Sequence, residues 1–297
     1  MKQKTKRRRG DRVDATLVRG LDSMHSFFPL MMPNRADNEA FIQEMIDFSA
    51  IEAYLARRNA ANPQYKYTFF HVILAALART VQMRPQMNRF IIGGKYYDRR
   101  HISFSLIAKK AFSDAAAESI VILKYDPESE KPAIDVLHDK LCDYVYTLRT
   151  KDTTDNTTDI LDTMAKGPQW FRQLLVNILR SLDAHGHMPK DLAVEDPYNS
   201  TVFISNLGSI KLNAGYHHLS NWGTNSIFVV VGEKHMQPFY GEDGSVTVKP
   251  AIGLGLTLDE RIGDGYYFSK CVHLLKKLLS EPELLDLPAN QPLEIEY

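Results

Sequence analysis

The stretch Thr257-Leu258-Asp259-Glu260-Arg261-Ile262-Gly263-Asp264-Gly265 (TLDERIGDG) places four charged side chains between an alternating apolar run and an apolar helical pattern. The run before it, residues 251–258, puts Ile and Leu on one face and small residues, including Gly253 and Gly255, on the other, which predicts a strand. Two glycines on one strand face let another group approach closely. That group is either a neighbouring backbone or helix, or a ligand whose channel the strand would line.

The composition is that of a globular protein and bounds the classes of function. The 297 residues are 44% hydrophobic and 24% charged, enough for one large domain or two ordinary ones. No apolar run approaches 18 residues and no apolar core of a secretory leader begins the chain, so we expect a cytoplasmic protein without a membrane partner. Two distant cysteines, Cys142 and Cys271, predict neither a disulfide framework nor a metal site.

Positive charge is concentrated at the N-terminus. Six of the 36 basic residues and none of the 36 acidic residues lie in the first nine positions, so the remainder carries a net charge of −6. We expect residues 1–20 to form a basic, disordered arm and residues 21–297 to form the folded domain. Nucleic acid is an unlikely partner because no aromatic residues interleave the arm and no basic face continues it.

Strand and helix patterns mix without regular βαβ alternation, which favours an α+β fold over a Rossmann fold. A polar stretch at residues 150–158 precedes an amphipathic pattern that contains Trp170 and Ile178. We treat residues 150–195 as an insertion whose helix is a lid, a membrane-lying helix or, as its few positive charges favour, an ordinarily packed helix.

Two further clusters carry groups capable of chemistry. Ser205 and Asn206 end a buried strand pattern, where a hydroxyl could donate a hydrogen bond to a developing oxyanion. His217 and His218 follow Tyr216, with Thr224 close behind. If they lay in a strand, adjacent histidines would point to opposite faces and form a poor metal pair, so we predict one packed histidine and one at a surface or cleft.

The order of these segments resembles the catalytic domain of the dihydrolipoamide acyltransferases, whose fold chloramphenicol acetyltransferase shares. The resemblance is carried by Ser205-Asn206-Leu207-Gly208, Ile227–Gly232, Met236-Gln237-Pro238 and Asp259-x-Arg261-x-x-Asp264-Gly265, and upstream by Arg84–Phe90. It spans residues from about Ser23 to the C-terminal helix. It implies a chloramphenicol acetyltransferase-like two-layer sandwich, an α+β fold with a mixed β-sheet flanked by helices.

The resemblance also implies a function. The family transfers acyl groups from coenzyme A as a homotrimer, with each active site at a subunit interface, to small-molecule or lipoyl-type acceptors that offer a thiol, hydroxyl or amine. A serine matching Ser205 holds the oxyanion, and an aspartate matching Asp264 pairs with an arginine and stiffens the loop. On the same grounds, Asn206, Arg261 and Thr224 are candidate substrate-binding residues.

The chain departs from the family at the decisive position, because Glu260 stands where the family has its catalytic histidine. A carboxylate of pKa about 4.3 facing a thiol of about 8.5 is a poorly matched base. Three hypotheses follow. Glu260 is itself the base, His217 or His218 replaces the missing imidazole, or the fold serves without transfer chemistry as a binding or assembly module.

Overall fold

A six-stranded mixed sheet forms the centre of the fold in a computed structural model that describes residues 7–109, 118–150, 166–188 and 196–295. The strands are β1 (Ala15–Leu17), β2 (Glu39–Asp47), β3 (Arg89–Ile92), β4 (Lys95–Arg99), β5 (Ile102–Lys109), β6 (Glu118–Tyr125), β7 (Val202–Asn206), β8 (Ile227–Tyr240) and β9 (Val246–Asp259). The helices are α1 (Ser23–Met31), α2 (Ser49–Asn59), α3 (Phe69–Met83), α4 (Ala133–Thr150), α5 (Gln169–Ala184) and α6 (Gly265–Ser280). The large sheet has the order β2-β9-β8-β7-β5-β6, in which only the pairs β5–β7 and β7–β8 are parallel.

The predicted alternating run lies in β9, which pairs with both β2 and β8. Its aliphatic residues are buried on the face covered by α2, α3, α4 and α6, where they join the main core. Its small residues lie on the other face, together with Phe203 of β7 and Phe228 of β8. We call this second face the outer face. The prediction of an α+β fold with a mixed sheet flanked by helices is confirmed.

A second, three-stranded sheet has the order β1-β4-β3 and contains part of the predicted N-terminal arm. Ala15–Leu17 pairs with β4, and Arg12 is buried in ion pairs with Asp14 and Asp183. The expectation of a disordered arm over residues 1–20 is therefore wrong for residues 7–20, because strand pairing and a buried guanidinium anchor them. Residues 1–6 lie outside the described residues.

Within the predicted insertion, the structure describes α5 and its flanks but not residues 151–165 or 189–195. One end of α5 is fixed, since Asp183 is buried and pairs with Arg12. Among the described residues its apolar stripe is left largely uncovered, since Trp170 is 69% exposed and Ile178 is 46% exposed. The described part of the chain therefore does not supply the ordinary packing predicted for this stripe. Among the described helices, none has the length and apolarity needed to cross a membrane.

Candidate active site

The charged loop after β9 is organised around a buried ion pair. Both carboxylate oxygens of Asp259 accept hydrogen bonds from the guanidinium of Arg261, each at 2.7 Å, and neither side chain is appreciably exposed. Asp259 also accepts from the backbone N–H of Arg261, which closes a short 3-10 turn at Glu260–Ile262. A second guanidinium, that of Arg35, lies 3.5 Å from Asp259.

These arginines tie the loop to the segment that follows α1. Arg261 donates to the carbonyl oxygens of Met32 (2.7 Å) and Pro33 (3.2 Å), while Arg35 donates to those of Ser220 and Gly223. Burial lowers the pKa of Arg35 to about 10, although Asp259 acts in the opposite direction. Arg261 is fully engaged in these contacts, so the candidate substrate-binding role for it is replaced by a structural one.

The two remaining acidic side chains of the loop point to solvent. Asp264 caps α6 by accepting a hydrogen bond of 2.7 Å from the backbone N–H of Tyr267. The expected pairing of Asp264 with an arginine is thus wrong in this chain, where Asp259 takes the arginine instead. Glu260 has an exposed side chain, and its backbone N–H donates to the carbonyl oxygen of Asn38.

Ser205 lies far from Glu260 within one chain. It is half-buried in β7, on the outer face, opposite Val230, which in turn lies opposite Gly255. Glu260 follows Gly255 by five residues. At about 3.3 Å per residue along a strand and about 4.8 Å between strands, the two Cα atoms are roughly 19 Å apart. A single active site containing both groups therefore needs two copies of the chain.

The two glycines of β9 make room for another stretch of backbone. A Cβ on Gly255 would lie 1.9 Å from the carbonyl oxygen of Gly215, and one on Gly253 would lie 3.1 Å from the Cβ of Ala214. The loop that follows β7 thus crosses the outer face of the sheet at these positions. Of the two explanations for the glycines, a neighbouring backbone is correct and a ligand channel at this point is not.

This loop brings the two histidines onto the outer face. The ring of His217 stacks on Phe228 at a centroid distance of 4.1 Å and an interplanar angle of 10°, and on His218 at 4.6 Å. The expectation that the two rings point to opposite faces is wrong, because the segment is not in a strand. Both histidines remain exposed.

The hydrogen bonds of the histidines define their tautomers. Nδ1 of His217 lies 2.8 Å from the carbonyl oxygen of His218, and Nδ1 of His218 lies 3.2 Å from that of Leu219. Since a carbonyl oxygen only accepts, each Nδ1 carries the proton in the neutral ring. Each Nε2 then presents a lone pair, which is the form a general base requires.

Phe228 connects His217 to Ser205. Phe228 lies opposite Phe203 in the parallel register and stacks on it at 4.9 Å, and Ser205 is the next residue on the same face of β7. At about 4.8 Å between strands and about 3.3 Å per residue along a strand, the Cα atoms of Phe228 and Ser205 are roughly 8 Å apart. The imidazole of His217 and the hydroxyl of Ser205 therefore share one patch of the outer face.

The other candidate residues have structural surroundings. Thr224 is completely buried, its hydroxyl accepts from Arg99 and donates to Asn199, and its carbonyl oxygen accepts from Arg99. These hydrogen bonds give Thr224 a structural role, and the substrate contact expected of it stays a prediction. Asn206 ends β7, and its side-chain Oδ1 is buried without a hydrogen-bond partner among the described atoms.

Two arginines of the structural framework, Arg35 and Arg99, are marked by no pattern in the sequence. Arg35 is buried and Arg99 is partly buried, and desolvation lowers the pKa of Arg99 to about 9. Each lies in a polar segment of the chain, where an arginine is typical of a solvent-exposed position. Most of their hydrogen-bond partners lie 100 or more residues away in the sequence, which no local pattern reveals.

Part of the chain matches a known protein family. The sequence model of the family described as 2-oxoacid dehydrogenases acyltransferase (catalytic domain) matches residues 177–287, which include β7, β8, β9 and α6. The predicted resemblance is confirmed. The comparison with curated protein sequences found no match.

Solved structures extend this result to the whole fold. A probable dihydrolipoamide acetyltransferase from Listeria monocytogenes superposes with a TM-score of 0.53 at 15% identity, covering 88% of this chain and 93% of the other. The dihydrolipoamide acetyltransferase of Azotobacter vinelandii gives 0.54 at 13% identity, covering 91% and 94%. A chloramphenicol acetyltransferase gives 0.53 at 13% identity, covering 91% and 99%. The chain therefore has the fold of the chloramphenicol acetyltransferase-like superfamily.

Proposed function

We propose that this chain is a CoA-dependent acyltransferase in which Ser205 stabilises the oxyanion and His217 supplies the general base. The acyl group passes from acyl-CoA to a small-molecule or lipoyl-type acceptor with a thiol, hydroxyl or amine. The observation that carries the proposal is the patch of the outer face shared by His217 and Ser205, together with the free Nε2 of His217. No metal takes part in the transfer.

The base role of His217 rests on chemistry as well as position. An imidazole has an ordinary pKa near 6.5, close enough to neutral pH to take a proton from the acceptor and return it. Its ring is held by Phe228 on one side, and the hydrogen bond from Nδ1 to the carbonyl oxygen of His218 fixes the tautomer. His218 has the same tautomer but no contact with Phe228 of this kind, so we assign it a supporting role.

Glu260 is the second candidate base, and it requires an oligomer. Because about 19 Å separates it from Ser205 in one chain, Glu260 meets a serine only if a second copy supplies that serine. A homotrimer with interfacial sites would satisfy this condition. For the Azotobacter vinelandii enzyme, roles in the catalytic mechanism have been investigated for a serine, a histidine and an asparagine, which supports the inclusion of a serine in the proposed site.

One observation favours a different function. The family's histidine position holds a carboxylate, and the described surface exposes an apolar stripe on α5. A chain that retains the fold without the base could act as a binding or assembly module. This second candidate predicts that no CoA is released from any acyl-CoA and acceptor pair.

The deciding experiment measures free CoA by chromatography after incubation with acetyl-CoA and one acceptor at a time, beginning with dihydrolipoamide and followed by hydroxyl and amine acceptors. We expect release with at least one acceptor, and a rate about 10²–10³-fold lower in Ser205→Ala, since one oxyanion donor is lost. Ser209→Ala is the matched control, because its hydroxyl only donates to the carbonyl oxygen of Asn206. No CoA release and no CoA binding by calorimetry would instead support the binding module.

A further inference from the structure

Two histidines and a cysteine meet between α3 and α4, on the side of the sheet opposite Ser205 and His217. His71 lies in the first turn of α3, whereas His138 and Cys142 are one turn apart on the same face of α4. Their ligand-type atoms all lie within 4.8 Å of one another. Both histidines are buried and Cys142 is partly buried, so this cluster is not a solvated surface group.

We propose that His71, His138 and Cys142 bind a zinc-class divalent cation that clamps α3 to α4. Imidazole nitrogen and thiolate sulfur are the donors that zinc and its neighbours in the first transition row prefer over magnesium or calcium. The site is independent of acyl transfer, since it lies on the helix-covered face of the sheet. The two distant cysteines predict no metal site from sequence, and only the fold brings His71 beside His138 and Cys142.

The spacing of the ligand atoms fits a tetrahedral cation after a small closure. Zinc bonds of about 2.0–2.1 Å to nitrogen and about 2.3 Å to sulfur place neighbouring donors roughly 3.4–3.6 Å apart. Sγ of Cys142 and Nε2 of His138 are already 3.5 Å apart. The remaining separations, at most 4.8 Å, need side-chain shifts of about 1 Å.

A carbonyl oxygen and a carboxylate lie beside the ring of His138. Nε2 lies 3.0 Å from the carbonyl oxygen of Tyr65, while Nδ1 is buried without a hydrogen-bond partner among the described atoms. The nearest carboxylate oxygen to Nδ1 is that of Asp139, at 3.6 Å. Cation binding through Nε2 moves the ring proton to Nδ1, where Asp139 accepts it in a carboxylate–histidine–metal arrangement. The carbonyl oxygen of Tyr65 then becomes the nearest fourth donor.

Nδ1 of His71 is engaged by hydrogen bonds to Thr68, which leaves Nε2 as the nitrogen that can bind the cation. Its Nδ1 accepts from the backbone N–H of Thr68 at 3.0 Å and lies 2.9 Å from the hydroxyl of Thr68. The ring of His71 is buried and lies 4.9 Å from that of His138 between ring centroids, beside the other two ligands. On binding through Nε2, the ring proton moves to Nδ1, which then donates to the hydroxyl oxygen of Thr68, and the backbone N–H of Thr68 gives up its hydrogen bond to Nδ1.

The protons balance in a simple way. In each imidazole the proton moves from Nε2 to Nδ1, so neither ring gains or loses one. The thiol of Cys142 loses its proton, and the S–H bond is replaced by a bond between sulfur and the cation. One proton is released to solvent for each cation bound, as is usual when a thiol becomes a ligand.

The test uses Co²⁺ as a spectroscopic substitute for Zn²⁺ on the full-length chain after treatment with a chelator. We expect one Co²⁺ per chain, with a sulfur-to-cobalt charge-transfer band in the near ultraviolet and visible bands of tetrahedral intensity. Cys142→Ser should abolish the charge-transfer band, and His71→Gln and His138→Gln should each weaken binding by about tenfold or more. Circular dichroism confirms that each variant is folded.

Two controls make the result specific. Cys271→Ala removes the other cysteine, which is buried in α6, and should leave the band unchanged. Asp139→Asn should keep the band but weaken binding by about tenfold, because it removes only the carboxylate that accepts a hydrogen bond from Nδ1 of His138. The proposal is overturned if wild-type protein shows no charge-transfer band, or if Cys142→Ser binds Co²⁺ with the same spectrum and affinity.

Discussion

Arg261 and Asp259 form a two-hydrogen-bond ion pair inside a single 3-10 turn, with both side chains excluded from solvent. Such a pair costs desolvation energy for both groups and is retained only when its geometry is good. Here Asp259 also holds the backbone of the turn, and Arg261 also holds the segment after α1. The pair therefore fixes where the loop carrying Glu260 leaves the sheet.

Removing one partner of this pair should destabilise the fold strongly. We expect Asp259→Asn to lower the free energy of unfolding by about 3–5 kcal/mol, because it leaves the guanidinium of Arg261 buried without its counter-charge. Urea unfolding followed by circular dichroism gives the value. Glu283→Gln breaks the exposed ion pair with Arg57 and is the matched control, with little expected change. Equal effects of the two substitutions would contradict this account.

The glycines of β9 give a second prediction. Gly255→Ala should displace the loop that crosses the outer face, because its Cβ would lie 1.9 Å from the carbonyl oxygen of Gly215. We expect a loss of about 1–3 kcal/mol, as for overpacking of a core, and a disturbed environment for His217. A Cβ on Gly253 would have its closest contact with the Cβ of Ala214, at 3.1 Å, so Gly253→Ala should cost less. Thermal unfolding and the imidazole NMR signals of His217 check both effects.

The strand β9 and the fold could be predicted because they depend on patterns among residues that are close in the sequence. The alternation in residues 251–258 predicts β9, and the order of the segments around Ser205 and Asp264 predicts the superfamily fold. Both depend on neighbours in sequence: strand periodicity is set within a few residues, and each motif is a short run. The charges at 259–264 likewise mark the end of a strand and the start of a helix.

The site geometry could not be predicted, because it depends on contacts between distant segments. Asp259 rather than Asp264 takes the arginine, since Asp264 is needed to cap α6 and Asp259 is buried beside Arg35. The two histidines were expected on opposite faces because a strand was assumed, yet the glycines of β9 admit a loop there instead. No pattern within the loop indicates that His217 stacks on Phe228.

Burial of His71 makes stability depend on pH. Its pKa in the folded chain is about 4, against an ordinary value of 6.5 for an unfolded histidine. Between pH 6.5 and 4 the unfolded chain therefore binds the extra proton, and the free energy of unfolding falls as the pH falls through this window. The difference between the two pKa values corresponds to about 3 kcal/mol of stability. This stability is fully present above pH 6.5 and is lost as the pH falls to 4.

A glutamine at position 71 tests this dependence without removing the helix cap. Gln is the usual partner of Thr in a capping box, so His71→Gln should keep the hydrogen bond to the backbone N–H of Thr68. Urea unfolding at a series of pH values, with a chelator present, should show a shallower fall between pH 6.5 and 4 in this variant. An unchanged slope would show that another group is responsible.

The identity of the base gives the last prediction. We expect His217→Asn to lower the rate of acyl transfer by about 10²–10⁴-fold, the usual contribution of a general base, while His218→Asn and Glu260→Gln change it by less than about threefold. Asn is close to His in size and keeps a polar group beside Phe228, so the stacked position is disturbed little. Free CoA released per minute is the measurement.

A rescue variant separates the two candidate bases. Glu260→His restores an imidazole at the position the family uses, so in the His217→Asn background it should recover activity only if Ser205 of a second copy reaches residue 260. Recovery would place the site between subunits, as the distance of roughly 19 Å between Ser205 and Glu260 in one chain requires. If Glu260→Gln instead abolishes transfer and His217→Asn does not, the carboxylate is the base and the assignment to His217 is wrong.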